Sequence, residues 1–276
     1  MTMTEITRSL KALRLSGMSA TLEARALQVS SGDMGFIEAF GALVQDELDR
    51  RASRLLERRF ALSGLRERKS LQEFDWGFNP KVPKRTILEL AVGHFIDARE
   101  DILMVGASGT GKSHCAKAIA LNAIMRGNSV FYREAHELLS EIHQARELRS
   151  FAKLKMQIKQ AHLLVIDDLF LRKLPPEACE ELIEVIIHRH EKGSTLITSN
   201  RPIEDWGKLL GDAVAVSPML DRIMYHGHLI KFEGKSWRLK EASIGASCQS
   251  QLDCVRSSLG AQHKGGYRRP GGYADR

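Results

Sequence analysis

Eight residues in the middle of the chain, Gly106-Ala107-Ser108-Gly109-Thr110-Gly111-Lys112-Ser113, have the types and spacing to hold a phosphate chain. Glycines open the backbone N–H groups to an anion, Lys112 can reach the β and γ phosphates, and the Ser113 hydroxyl can ligate Mg²⁺. Phosphoryl chemistry also needs an acid to hold the metal and orient a water. The run Leu163-Leu164-Val165-Ile166-Asp167-Asp168 supplies two acids at the end of an apolar strand. Asp167 is expected on the metal through its water shell and Asp168 on the attacking water. A further apolar run, Thr195-Leu196-Ile197-Thr198, ends in Ser199-Asn200 and would bring the Asn200 amide to the same edge, near the γ-phosphate. Taken alone, Asn200 before Arg201-Pro202 reads equally as a turn residue. No Asn-Lys-x-Asp guanine reader follows, which points to ATP as the nucleotide.

These side chains meet only if a sheet brings the strand ends together. Five short apolar runs, at 102–105, 129–132, 163–166, 195–198 and 228–232, alternate with helical patterns, which predicts an α/β fold with a parallel sheet covered on both faces. The first run enters the phosphate loop, and a helix over about 112–125 leaves it, so the phosphates would sit at a helix N-terminus. Residues 1 to about 75 read as a small all-helical domain, with an apolar stripe at Phe36, Phe40, Val44, Leu48, Ala52, Leu55 and Leu56. Its far end is basic, with Arg50, Arg51, Arg54, Arg58 and Arg59 as candidate DNA-phosphate contacts. A solvated helix face has the same composition. The stretch 74–83, rich in aromatics and prolines, reads as a linker that docks on the domain spanning 76–243, and 244–276 as a basic, disordered tail.

Lys and Arg outnumber Asp and Glu 41 to 34, a net charge of +7 that favours a polyanionic partner. No apolar run reaches the roughly 18 residues of a membrane span, and the N-terminus lacks a signal pattern, so a cytoplasmic protein is expected. Cys115, Cys179, Cys248 and Cys254 lack paired spacings and read as free thiols.

The order of these elements resembles the AAA+ ATPases of the initiator and helicase-loader group. Gly-Thr-Gly-Lys-Ser-His (109–114), Val-Ile-Asp-Asp-Leu (165–169), Ile-Thr-Ser-Asn-Arg-Pro (197–202), Asp-Trp-Gly-Lys-Leu-Leu-Gly-Asp (205–212) and Lys-Phe-Glu-Gly-Lys-Ser-Trp-Arg-Leu-Lys (231–240) are similar to the IstB-like ATP-binding proteins of insertion-sequence transposition. The resemblance implies a five-stranded P-loop AAA+ domain without a substantial lid. It makes Asn200 a γ-phosphate sensor, Arg222 an arginine finger acting on a neighbouring subunit, and Arg238 a second sensor. It also implies an ATP-dependent homo-oligomer on double-stranded DNA that recruits or stimulates a cognate transposase. Residues 134–160 would carry helices lining a DNA channel, with Lys153, Lys155 and Lys159 as contacts, although a crossover helix with a solvated face fits the same residues. Most AAA+ proteins have Glu where this chain has Asp168, one methylene shorter, so slow hydrolysis is expected. A helicase loader would share the chemistry and differ in partner. A small-molecule P-loop kinase is the alternative from another class, with no lid arginine cluster or acceptor signature in its favour.

Overall fold

The computed structural model describes residues 2–171, 176–210, 213–240 and 242. Five strands form one parallel sheet: β1 Ile102–Gly106, β2 Val130–Glu134, β3 Leu163–Leu169, β4 Ser194–Ser199 and β5 His228–Phe232, in the order β2-β3-β4-β1-β5. Each lies within two residues of its apolar run at the start, because runs buried on both faces carry little polar alternation to blur them. Successive residues point to opposite faces. Ile102 and Met104 join the core under one layer of helices, and Leu103 and Val105 join the other.

The first layer holds α4 (Lys84–Val92), α5 (His94–Asp97) and α6 (Lys112–Met125). The second holds α7 (Ala135–Glu147), α8 (Phe151–Gln160), α9 (Pro176–Arg189), α10 (Trp206–Leu210) and α11 (Ala213–Tyr225). Arg189, 1% exposed, ties this layer to the sheet. Its guanidinium donates to the carbonyls of Ile158 (2.6 Å), Ala161 (2.9 Å), His162 (3.4 Å) and Ser194 (2.7 Å), and to Thr195 Oγ1.

Upstream lie α1 (Met3–Ala12), α2 (Ser16–Ser30) and α3 (Phe36–Ser63). Helix α3, about 42 Å long at ~1.5 Å per residue, buries different faces along its length. Its first half sets Ala39, Leu43 and Glu47 against α2, where Glu47 accepts from the N-terminal amides of Gly17 (2.5 Å) and Met18 (3.4 Å). Its second half turns Leu56 and Phe60 onto the sheet domain's core. The first part of the apolar stripe is therefore on the outside: Phe36, Phe40, Val44 and Leu48 are 71, 53, 39 and 54% exposed. The helices also stop earlier than expected. Gly64 takes φ 86° and ends α3, and from Leu65 the chain runs irregularly over the sheet domain, burying Leu71 and Val82 in its core. The tail expected from residue 244, and with it the expected absence of a helical lid, lie outside the described residues. Cys248 and Cys254 lie there too, as does the Cys179 side chain. Cys115 is a buried free thiol whose pKa burial pushes up to about 12.

Candidate functional site

All five strands run the same way, so β1, β3 and β4 deliver their C-terminal ends to one edge, where an open α/β sheet binds ligands. The phosphate loop leaves β1 there and opens onto α6. Gly109 and Gly111 hold φ 77° and 103°, backbone that residues with a Cβ rarely adopt. Both also lack room for one: a methyl on Gly109 would lie 2.1 Å from Ser236 Oγ, and on Gly111 2.4 Å from the Phe74 ring. The Lys112 ammonium folds back onto the carbonyls of Gly106 (2.7 Å) and Ala107 (2.8 Å). Burial pushes its pKa down; the Asp168 and Asp167 carboxylates oppose that shift, and Arg238 adds to it. This loop, with its left-handed glycines and with Lys112 lining the crevice, fits a phosphate chain.

Above the loop is a crevice of about 380 Å³, lined by residues 108–114 together with Asp168 and Arg238. That is the size class of small-ligand sites, on the order of 300–1,000 Å³. Its walls come from two segments remote in sequence. One is the stretch before α4, which contributes Phe74, Asp75 and Phe78. Phe74 rests edge-on to His114 (5.4 Å between centroids) and beside Trp76 (4.6 Å), and His114 Nε2 lies 2.8 Å from the Ser70 carbonyl. The other is the turn after β5, which contributes Trp237 and Arg238; Trp237 N donates to Gly109 O (2.9 Å). The walls are joined at their base. Asn79, 4% exposed, donates to Lys235 O (3.0 Å) and accepts from Lys235 N (2.8 Å), and Phe78 meets Trp237 edge-on at 5.0 Å. The aromatic stretch expected to dock on the domain does so, and it docks at the phosphate loop.

The two acids of β3 occupy different places. Asp168 lines the crevice, whereas Asp167 is 1% exposed and lies behind it. Asp167 Oδ2 accepts from the Tyr132 hydroxyl at 2.5 Å, and Oδ1 accepts from the Thr198 hydroxyl and from Asp168 N (3.2 Å). Asp168 has φ 54°, uncommon for a residue with a side chain. Burial raises its carboxyl above the usual range and Asp167 adds to that, while Lys112 and Arg238 pull it back.

A bulge sets this arrangement. Between the pairs Ile166↔Ile197 and Leu169↔Ser199, Asp167 and Asp168 stand opposite Thr198 alone. Asn200 lies one residue beyond Ser199, the last residue of β4 paired with β1 and β3. It is not among the crevice-lining residues, and its Oδ1 is buried without a hydrogen-bond partner among the described residues. The spacing of that strand points to the Asn200 amide at the same edge, near the γ-phosphate; the side chain that contacts both acids is that of Thr198. Tyr132 was missed for want of any local signal.

Arg222, on α11, is also outside the crevice and donates to Pro218 O of its own helix (3.0 Å). Of the arginines on α3, Arg50, Arg54 and Arg58 recur every fourth residue, are exposed, and have no ion-pair partner among the described residues. Arg51 pairs with Glu47 (2.7 Å), and Arg59 lies against Gly127. The lysines of α8 do not share one face. Lys153 is exposed, while Lys155 is ion-paired with Glu184 of α9 and Lys159 is half-buried nearby. No described helix is long and apolar enough to cross a membrane.

The chain is similar to known proteins in sequence and in fold. The family model described as IstB-like ATP binding protein matches residues 8–245. An insertion-sequence IS5376 ATP-binding protein of Geobacillus stearothermophilus is 34% identical over 233 residues, covering 84% of this chain and 92% of its own length. An insertion-sequence ATP-binding protein of Mycobacterium tuberculosis is 33% identical over 231 residues, covering 83% and 92%. In fold, the chain is similar to DnaA from Aquifex aeolicus with bound AMPPCP, at TM-score 0.52 and 21% identity, over 62% of this chain and 51% of that one. With a five-stranded parallel P-loop AAA+ sheet and a helical N-terminal region, this chain belongs to the IstB-like ATP-binding proteins encoded by insertion sequences.

Proposed function

We propose that the chain hydrolyses ATP to control its own assembly on double-stranded DNA, and that the assembled form recruits or stimulates the transposase of its element. The observation that carries the reading is the division of the site: the crevice gathers Lys112, Asp168 and Arg238, while Arg222 stands apart on α11. A further guanidinium supplied by a neighbour would complete the site only on assembly, which ties turnover to assembly.

The loop amides and Lys112 bind the phosphates, and Phe78 with Trp237 offer flat faces for the base. Mg²⁺, when bound, would screen the phosphate charge; Ser113 would hold it directly and Asp167 through water. Asp168 orients the attacking water, with its short side chain keeping hydrolysis slow. Arg238 adds positive charge from within the chain, and Asn200 would sense the γ-phosphate only after β4's end shifts toward the crevice. Helices α1–α3 form the partner-binding module. Arg50, Arg54 and Arg58 on α3 are its best-placed phosphate contacts, with Arg51, Arg59 and the α8 lysines secondary because they are already engaged or spread over two faces.

Co-sedimentation with duplex DNA tests the coupling. Wild type should bind more tightly with ATP than with ADP, and Lys112→Ala should lose the difference; equal binding in every case refutes it. Arg222→Ala should lower turnover at least about 10³-fold, the low end for an arginine finger. Mixing it with Lys112→Ala should restore activity, since each variant supplies what the other lacks. No recovery on mixing argues against a trans role.

A further inference from the structure

We propose that Thr198, together with Tyr132, is the positioning device of the acidic pair: it fixes the Asp167 carboxylate for a water-shelled divalent cation and locks the backbone that aims Asp168 into the crevice. The proposal rests on the reading of the site as an ATPase. Thr198 is 0% exposed, and its hydroxyl is used in both directions, donating to Asp167 Oδ1 and accepting from Asp168 N at 2.8 Å. One side chain on β4 thus binds the side chain of the first acid and the main chain of the second. Tyr132, on β2 at the other side of β3, closes Asp167 Oδ2.

The bulge explains why a device is needed. Two residues of β3 face one of β4, so the ladder has no regular partner for the Asp168 amide. Asp168 is left at φ 54°, a conformation that a residue with a side chain keeps only where its surroundings fix it. The Thr198 hydroxyl supplies the nearer of its two acceptors, at 2.8 Å against 3.2 Å for Asp167 Oδ1. With both carboxylate oxygens engaged, Asp167 has little freedom to swing toward a cation, so its contribution is a fixed charge and a fixed acceptor for bound water. Groups that orient a metal-directed carboxylate from behind typically change affinity or rate about 10–100-fold when removed.

Thr198→Val keeps the shape and removes the hydroxyl; Thr198→Ser keeps the hydroxyl. We expect Thr198→Val to lower kcat about 10–100-fold and to raise KM for Mg²⁺-ATP, and Thr198→Ser to restore most of both. A second readout is independent of turnover. Titration with the fluorescent analogue mant-ATP, with and without Mg²⁺, should show a Mg²⁺-dependent gain in affinity in wild type and Thr198→Ser that Thr198→Val loses. Wild-type kcat and wild-type Mg²⁺ dependence in Thr198→Val would overturn the proposal. Absence of hydrolysis in wild type would remove the ATPase reading, and the mant-ATP titration would still decide the positioning role. Should Thr198→Val fail to fold, Tyr132→Phe decides by the same two measurements: a reduced Mg²⁺ gain supports the proposal and an unchanged one overturns it.

Discussion

Replacing Gly111 with alanine separates two burdens that the phosphate loop places on one position. The first is backbone: φ 103° and ψ 8° are strained for a residue with a Cβ, at about 1–3 kcal/mol. The second is steric, since the new methyl would stand 2.4 and 2.8 Å from two carbons of the Phe74 ring. The ring must leave, and it takes with it contacts to Trp76 and His114, each worth about 0.5–1.5 kcal/mol beyond buried area. Gly111→Ala should therefore lower unfolding free energy by about 2–6 kcal/mol. In a Phe74→Ala background the steric part is already gone, and the same substitution should cost only about 1–3 kcal/mol. Urea unfolding of the two single variants and the double variant gives the coupling, expected at about 1–3 kcal/mol. Mant-ATP titration of the same set asks whether displacing Phe74 also weakens nucleotide binding. A coupling near zero would show that Phe74 is not seated on the loop, and would refute the account of the crevice wall.

Asp101 gives a pH signature. Burial raises its carboxyl to about 6, against the opposing pull of the Thr195 N–H bond (2.6 Å) and Arg189. The folded chain then holds a proton that the unfolded chain has released, so this group's stabilisation is complete below about pH 4 and is lost as pH rises to about 6. Asp101→Asn keeps an acceptor for Thr195 and removes the titration; its stability relative to wild type should grow between pH 5 and 7 by on the order of 1–2 kcal/mol. A constant difference contradicts the assignment. Arg189→Met should lower stability by about 3–5 kcal/mol, because buried carbonyls of α8, the α8–β3 turn and β4 lose their donor. Arg189→Lys should recover less than half, since one ammonium cannot span carbonyls that a planar fork reaches together; full recovery would show that charge alone matters there.

Much of the site was legible without coordinates. A phosphate loop is a local object: a strand, glycines, a lysine and a helix start lie within two dozen residues, and their order dictates the geometry. Strands buried on both faces are written as apolar runs, so the sheet and the edge bearing Asp167 and Asp168 could be read directly. Helix α3 shows where such reading stops. Its spacing announces an apolar stripe at Phe36, Phe40, Val44 and Leu48, but periodicity reports that a face exists and says nothing of what covers it. Two different partners, α2 and the sheet domain, bury other faces of the same helix.

The chemistry-bearing residue types were thus set by the sequence: Lys112 and Ser113 in the loop, two acids closing β3, basic residues along α3. What only the tertiary structure decided is who stands beside them. Thr198 stands beside both acids because one extra residue in β3 leaves Asp167 and Asp168 opposite it, through pairing between segments 30 residues apart in sequence. Phe74, Phe78 and Trp237 wall the crevice because Asn79 fastens the segment before the sheet to the segment after it. Both facts depend on hydrogen bonds between distant segments, and no local spacing encodes them.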